Sequence, residues 1–544
     1  VGKKPLLSEL TLREKIGQTA IGYTHNDYSQ LAGAKPWGGL YVSGNIKLDV
    51  FNMAEEEGDT PVPCSNWAEF TEKISAKLKI PFLPALDNTA GIKAAFYELS
   101  RLADPVSIGS ADSEELAYES GVCKALQAKC VGARWWWGPE IDLPHRNCSI
   151  FHGRHFSSDP DKLVKLAIAA MKGALDNGVI PTAKHFPGAD DMEYRDPHIS
   201  PTNINFSYED WMKNQGRIFQ IMIDAGVPSI MISHSGFPAV DDSVLNGNYR
   251  PCTLSYKVIT ELLKGKMGFK GVVITDGISM RSAVTAMDDD MEKVYIEAFK
   301  AGNDVILGCE DYYIDLIEKA VLDGVISMER VDDACRRVID MKDKIGMFDD
   351  NFKHSIGDIE AVNQYAHEVN KKIAEKAISL VCDKHKLLPV KQDKIKKVAI
   401  ICACERDDVY NTLTCMKESF EKRGAAVHMQ RVLESRDMTR QLAKENDLLV
   451  YVGHLSGQNE FHGAERASFY YALLEGEEKS IGVGIGHPFM YYDYYSSFKT
   501  FINAYTFADE TQEAVVAAIF GEIPFQGGEP FPLVPEYIQN YNKF

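Results

Sequence analysis

Ile180-Pro181-Thr182-Ala183-Lys184-His185 begins as a short apolar run and breaks at once into charge. The same break recurs along the chain. Phe82-Leu83-Pro84-Ala85-Leu86 runs into Asp87, Ser229-Ile230-Met231-Ile232 into Ser233-His234, Gly271-Val272-Val273-Ile274 into Thr275-Asp276, and Asp304-Val305-Ile306-Leu307 into Gly308. Gly39-Leu40-Tyr41-Val42 is a further run of the same kind, and amphipathic helical stretches separate them. Strands alternating with helices imply parallel βα units. In a (β/α)8 barrel the C-terminal strand ends converge on one mouth. A flat α/β sheet also carries polar residues at its strand ends, but five such positions in succession favour the barrel.

Around Met347-Phe348-Asp349-Asp350 the pattern stops. The predicted organisation is a barrel over 1–348, a linker over 349–365 and an α/β/α sandwich over 366–544. A helix is predicted over Val369 to Leu380. Five strands follow, at Val398-Ala399-Ile400-Ile401, Ala426-Val427-His428, Leu448-Leu449-Val450-Tyr451, Ile481-Gly482-Val483 and Phe501-Ile502-Asn503-Ala504. The first turn of this series reads Cys402-Ala403-Cys404-Glu405, and no phosphate-cradling glycine fingerprint stands there. Trp135-Trp136-Trp137 sits on a further barrel strand, where alternation sends neighbouring side chains to opposite faces and makes them packing residues.

The composition narrows the function classes. Of 544 residues, 59 are Lys or Arg and 78 are Asp or Glu, a net charge of −19. With a pI of 5.3, the chain lacks the basic footprint of a nucleic-acid binder. No apolar run approaches the roughly 20 residues of a membrane-spanning helix. The expected partner is a neutral small molecule, with neither nucleic acid nor membrane, and the oligomeric state is left open. Eleven scattered cysteines match no zinc or thioredoxin spacing. Free thiols lean towards a reducing, cytoplasmic setting, while the start at Val1 leaves a trimmed leader and secretion open.

Chemistry concentrates in one loop, Lys184-His185-Phe186-Pro187-Gly188-Ala189-Asp190-Asp191-Met192-Glu193-Tyr194-Arg195-Asp196-Pro197-His198. Pro197 restricts Asp196 and His198 and suits a local carboxylate–imidazole pair. Such a pair orients the ring and stabilises the imidazolium for proton transfer. Downstream, Asp276 is a carboxylate at a strand end, with Gly277 allowing close approach. A nucleophilic carboxylate with a separate acid/base is the logic of retaining glycoside hydrolysis. Asp-x-His alone is more often a loop contact. No fixed ligand spacing supports a metal at His185, Asp190, Asp191 and His198, and no cofactor is expected.

These stretches together resemble glycoside hydrolase family 3, in its β-N-acetylhexosaminidase (β-N-acetylglucosaminidase) branch. Lys184-His185-Phe186-Pro187-Gly188 followed by Asp196-Pro197-His198 is similar to that branch's signature. Leu10-Thr11-Leu12-Arg13-Glu14-Lys15-Ile16-Gly17-Gln18 resembles the family's opening helix, and Gly38-Gly39-Leu40 its first strand. Gly153-Arg154-His155-Phe156 resembles the arginine-bearing loop, and Gly268 to Met280 the nucleophile strand. Phe520-Gly521-Glu522-Ile523-Pro524 and Pro530-Phe531-Pro532-Leu533 are similar to the tail of the family's second domain.

The resemblance implies a TIM-like barrel followed by the sandwich, and retaining cleavage of a terminal β-linked N-acetylhexosamine such as GlcNAc. Asp276 would be the nucleophile, and His198, oriented by Asp196, the acid/base. Asp87, Arg154, Lys184 and His185 would hold the sugar, and His234 either lines the pocket or is structural. Glu460 and Glu465 are rival acid/base candidates, as in the family's β-glucosidase branch. The chain departs from the pattern where Asn88-Thr89-Ala90-Gly91 follows Asp87 and where Ala189-Asp190 follows Gly188. A β-glucosidase, a glycoside phosphorylase and a non-catalytic carbohydrate-binding relative are the alternatives. Arg154, Lys184, His185 and Arg195 are expected to make the mouth positive within an acidic exterior.

Overall fold

The computed structural model describes residues 3–23, 35–42, 63–87, 96–143, 152–190, 193–403, 407–433, 435–455, 468, 470–472, 474–486, 488–492 and 496–532. Contacts group the chain into two compact units. The first comprises Val1–Arg101, Ala117–Cys148 and Ala167–Tyr365, and the second Leu102–Leu116, Ser149–Leu166 and Ala366–Phe544. Two short stretches within 1–348 therefore group with the later part of the chain.

The first unit carries β1 (Ala20–Gly22), β2 (Gly39–Leu40), β3 (Ala85–Leu86), β4 (Trp135–Trp136), β5 (Ile180–Phe186) and β6 (Ser229–Ile232). A side hairpin, β7 (Val244–Leu245) and β8 (Asn248–Tyr249), precedes β9 (Val272–Thr275) and β10 (Ile306–Cys309). The hydrogen-bonded orders are β10-β1-β2 and β3-β4-β5-β6-β9, parallel throughout. Parallel bridges Tyr41↔Ala85 and Ile274↔Val305 join the two sheets at both seams. Eight parallel strands thus close into the expected (β/α)8 barrel. Its first strand is β1, not the Gly39-Leu40 strand that the resemblance suggests. Around β1 only Ala20 and Ile21 are apolar, between Thr19 and Gly22, so no apolar run marks it.

Ile21, Ala85, Trp135, Ile180, Met231, Ile274 and Leu307 pack inside the ring. Trp135 and Trp137 belong to that interior, while Trp136 lies under the Lys124 ammonium, 4.7 Å from its ring. The alternation expected for the tryptophan run is what occurs, and all three are buried. At the start of the barrel, Thr11 caps the helix Leu12–Gly17. Its hydroxyl accepts from the Glu14 N–H, and its own N–H donates to the Glu14 carboxylate at 2.8 Å.

The floor of the barrel is tied by a buried lysine. Lys342, from the helix Met328–Lys344, donates to Gln18 Oε1 at 2.6 Å, Pro81 O at 2.7 Å and Gly38 O at 3.3 Å. These acceptors lie just before β1, β2 and β3, so one ammonium gathers three strand entries. Burial without a carboxylate partner pushes its pKa down to about 7.

The second unit holds a six-stranded sheet of β11 (Ser379–Asp383), β12 (Lys397–Cys402), β13 (Ala426–Gln430), β14 (Leu448–Leu455), β15 (Ser480–Gly486) and β16 (Thr500–Asn503). The order is β11-β16-β15-β14-β12-β13, with only β11 antiparallel to its neighbour. Val398, Ile400 and Cys402 pack on one face, and Ala399, Ile401 and Ala403 on the other. Burial on both faces is what a doubly wound sheet requires. The five expected strands are present and β11 is additional. The helix expected over Val369 to Leu380 spans Ile359–Ala377, and Ser379 and Leu380 belong to β11. No turn signal separates helix from strand there, and pairing with β16 decides the difference. Among the described residues no helix is long and apolar enough to cross a membrane, and no disulfide joins two of the nine described cysteines.

Candidate active site

The strand ends of the first unit assemble the site around β5. The β5–β6 register slips between Ala183 and Phe186. Such a bulge breaks strict alternation and re-aims side chains, so consecutive Lys184 and His185 both meet carboxylates of neighbouring strand ends. The Lys184 ammonium, 1% exposed, donates to Asp87 Oδ1 at 2.8 Å and lies 3.2 Å from Glu140 Oε1. Glu140 is also buried, whereas Asp87 keeps 36% of its side chain exposed. Asp87 therefore remains available to a hydroxyl-bearing ligand.

His185 is held twice by Asp142. Its backbone N–H donates to Asp142 Oδ1 at 2.8 Å, and Nδ1 lies 2.7 Å from Oδ2. A carboxylate accepts only, so Nδ1 carries the proton and Nε2 faces Asp276 Oδ2 at 3.8 Å. Asp276 follows β9 and accepts from the Gly277 N–H at 2.7 Å. Burial alone would raise its carboxyl pKa. His185, His234, the Gly277 N–H and Lys184 outweigh burial and hold it below the ordinary aspartate value. The result is a carboxylate ionised at neutral pH.

His234 is turned towards the protein. Its Nε2 donates to Gly277 O at 2.9 Å and Nδ1 lies 2.7 Å from the Thr253 hydroxyl, with the side chain buried. Burial pushes this imidazole down, against Asp276 and the Gly277 carbonyl. It is neutral near pH 7 and lends Asp276 no positive charge there. His234 therefore steadies the segment that carries Asp276, and both of its ring nitrogens are taken by protein atoms.

Asp196 and His198 form the expected pair. Oδ1 of Asp196 accepts from the His198 N–H at 2.8 Å and lies 2.6 Å from Nδ1. The proton therefore sits on Nδ1, leaving Nε2 outward on a ring whose side chain is 63% exposed. The His198 carbonyl accepts from the Arg281 N–H at 3.1 Å, which ties this loop to the chain just beyond Asp276.

The expected positive mouth is not what forms. Lys184 is matched by Asp87 and Glu140, His185 by Asp142, and Arg195 by a two-pronged pair with Glu193 at 2.6 and 2.8 Å. A buried cation needs acceptors in place of water, and here Glu140 and Asp142 supply them. Both were missed as site residues, although Glu140-Ile141-Asp142 after the tryptophan strand has the spacing that puts two side chains on one face. Tyr41 and Tyr23 follow β2 and β1, with ring centroids 6.4 Å apart, and Tyr41 lies 5.1 Å from Trp137. Burial first and the charge of Asp87 next raise the Tyr41 phenol, which stays protonated. Arg154 ends the short turn His152–Arg154 and belongs to the second unit. Glu460, Glu465, Asp191 and residues 88–91 lie outside the described residues.

The model of the glycosyl hydrolase family 3 N-terminal domain matches residues 11–341. A β-N-acetylglucosaminidase/β-glucosidase of Cellulomonas fimi is 22% identical over 559 residues, covering 96% of this chain and 94% of its own. Among solved structures, the β-glucoside phosphorylase BglX superposes with a TM-score of 0.83 at 24% identity, covering 97% of this chain and 94% of its own. A family 3 β-N-acetylglucosaminidase from Paenibacillus sp. str. FPU-7 gives 0.82 at 22% identity, covering 96% and 99%.

Proposed function

Because the chain belongs to glycosyl hydrolase family 3, we propose that it is a retaining exo-glycosidase that removes a terminal β-linked N-acetylhexosamine, GlcNAc in the first instance. The observation that carries this reading is the pairing of an ionised strand-end carboxylate, Asp276, with a separate Asp196–His198 dyad on a loop bonded to the same segment. The sugar named is the one in the names of the Cellulomonas fimi and Paenibacillus relatives.

In the first step an Asp276 oxygen attacks the anomeric carbon as its bond to the leaving oxygen breaks. Protonated His198 delivers its Nε2 proton to that oxygen, and the electron pair of the broken bond leaves with the alcohol. Asp196 keeps the ring oriented and offsets the charge of the imidazolium before the proton is given up. In the second step neutral Nε2 takes a proton from water, and the hydroxide oxygen displaces Asp276 from the anomeric carbon. Two inversions return the β-anomer. Asp87, Lys184 and His185 are proposed to hold the hydroxyls of the sugar, with Glu140 and Asp142 fixing the lysine and histidine. Arg154 is proposed as a further sugar contact.

Phosphate as the second-step acceptor is the second reading. Its support is an imidazole in place of a carboxylate as acid/base, which repels an incoming anion less, and the likeness to a β-glucoside phosphorylase. Chromogenic β-GlcNAc, β-GalNAc and β-glucoside substrates, with and without phosphate, test both. The expected result is turnover of β-GlcNAc that Asp276→Ala abolishes and His198→Ala cuts by about 10²–10⁴. Turnover of no glycoside sinks the enzyme reading, and full activity in Asp276→Ala sinks the nucleophile.

A further inference from the structure

The loop bearing the Asp196–His198 dyad has little side-chain packing to hold it. Tyr194 and Ile199 are each 72% exposed, and the dyad residues themselves face solvent. Its shape is nevertheless set internally. Ile199 and Ser200 donate to Asp196 O at 3.1 and 2.9 Å, and the Asp196 carboxylate takes the His198 N–H. A compact turn of this kind can be aimed as a unit by whatever grips its outward carbonyls.

That grip comes from the residues just after Asp276. The Ser282 hydroxyl, 2% exposed, lies 2.5 Å from Pro197 O and 2.7 Å from Ser200 O, and the neighbouring Arg281 N–H donates to His198 O at 3.1 Å. A hydroxyl has one proton, so Ser282 shares it between two carbonyls that bracket His198. The anchoring segment is itself rigid. Ile278 N–H donates to Leu307 O of β10, Met280 N–H to Gly277 O, and Ser282 lies only six residues beyond Asp276.

We propose that Ser282 is a positioning residue for acid/base catalysis, its hydroxyl registering the Asp196–His198 turn against the strand end that carries Asp276. The proposal rests on the assignment of Asp276 and His198 above. A general acid works only within hydrogen-bond reach of the oxygen it protonates, and a displacement of about 1 Å can cost roughly 10²-fold. A loop held by backbone carbonyls alone keeps that reach while its exposed side chains remain free to meet the leaving group. Backbone amides could hold such a turn without help, but three carbonyls of one turn facing one N–H and one hydroxyl make the side chain part of the clamp.

The test uses the leaving-group dependence of the glycosylation step. A 2,4-dinitrophenyl β-GlcNAc substrate departs without a proton, whereas a 4-methoxyphenyl β-GlcNAc substrate needs one. For Ser282→Ala, kcat/KM should fall about tenfold on the methoxyphenyl substrate and at most about twofold on the dinitrophenyl one, the larger loss matching about 1.4 kcal/mol. Ser282→Thr, which keeps the hydroxyl, should restore most of the loss. If the alanine variant does not fold, Ser282→Cys keeps the volume, replaces the hydroxyl by a weak donor and is read the same way. An equal loss on both substrates, or none on either, overturns the proposal. His198→Ala run in parallel separates the two levels. A split in His198→Ala without one in Ser282→Ala sinks only the Ser282 role, whereas no split in His198→Ala sinks the acid/base assignment and the proposal with it.

Discussion

Replacing Lys184 by Met isolates the energetic logic of the site. Methionine follows the lysine stem but brings no donor, so the substitution removes the cation and little volume. Two carboxylates lose their pairing with Lys184, and they differ. Asp87 keeps 36% of its side chain exposed and can turn to water, while Glu140 is 2% exposed and cannot. Removing one partner of a buried pair typically costs about 3–5 kcal/mol, because the remaining charge is stranded. That loss should appear in the unfolding of the first unit, which contains all six tryptophans of the chain. Trp37, Trp67, Trp135, Trp136, Trp137 and Trp211 are all buried, so the urea transition followed by tryptophan fluorescence reports this unit alone.

The same reasoning sets a sign with pH. Lys184→Met takes away a positive charge 3.2 Å from the buried Glu140 carboxylate, so the folded variant should hold a proton on that carboxyl more readily than wild type does. Its stability relative to wild type must then rise as pH falls, by at most about 1.4 kcal/mol per pH unit. Between pH 8 and pH 5 the gap to wild type should narrow. The double variant Lys184→Met/Glu140→Gln also removes the negative charge that faced the ammonium and should recover part of the lost stability at pH 8. A double variant no more stable than Lys184→Met, or a gap unchanged on acidification, refutes the claim that Glu140 and Lys184 are one buried ion pair.

Two further outcomes are expected. His185→Gln removes the largest influence holding the Asp276 carboxyl low. The acidic limb of kcat/KM on a dinitrophenyl substrate, which needs no acid catalyst, should therefore move to higher pH, and an unmoved limb argues against His185 as the tuning group. Lys342→Met removes a buried cation but leaves Gln18 Oε1 and Pro81 O without their donor. At about 1–3 kcal/mol for each unsatisfied buried acceptor, the variant should unfold at lower urea by fluorescence, and a gain in stability would show that relief of the buried charge dominates.

The strand-end pattern was legible because it is local. An apolar run of four or five residues followed by Asp87, His234 or Asp276 states both a strand and where it stops. Six of the eight barrel strands carry such a run and a seventh carries the tryptophan triplet, and Asp196-Pro197-His198 holds a pair whose geometry is built from three adjacent residues. β1 escaped because Ala20 and Ile21 stand alone between Thr19 and Gly22 and make no apolar run, and β11 because no breaker separates it from the preceding helix. Glu140 and Asp142 escaped for another reason. Nothing next to a buried carboxylate in the sequence says which cation it will face, and Glu140 meets Lys184 only because β4 and β5 lie side by side.

The sequence by itself determined the barrel, the sandwich and the candidate chemical pair, since hydrophobic periodicity and loop chemistry act over a few residues. Only the tertiary structure decided the charge of the mouth, the tautomer that His185 presents to Asp276, and the turning of His234 towards Gly277. It also decided that the Asp196–His198 turn is gripped by Ser282. Each of these depends on atoms from strands or loops far apart in the chain. Burial makes their pairing obligatory, because an uncompensated charge or carbonyl inside a barrel has no water to turn to.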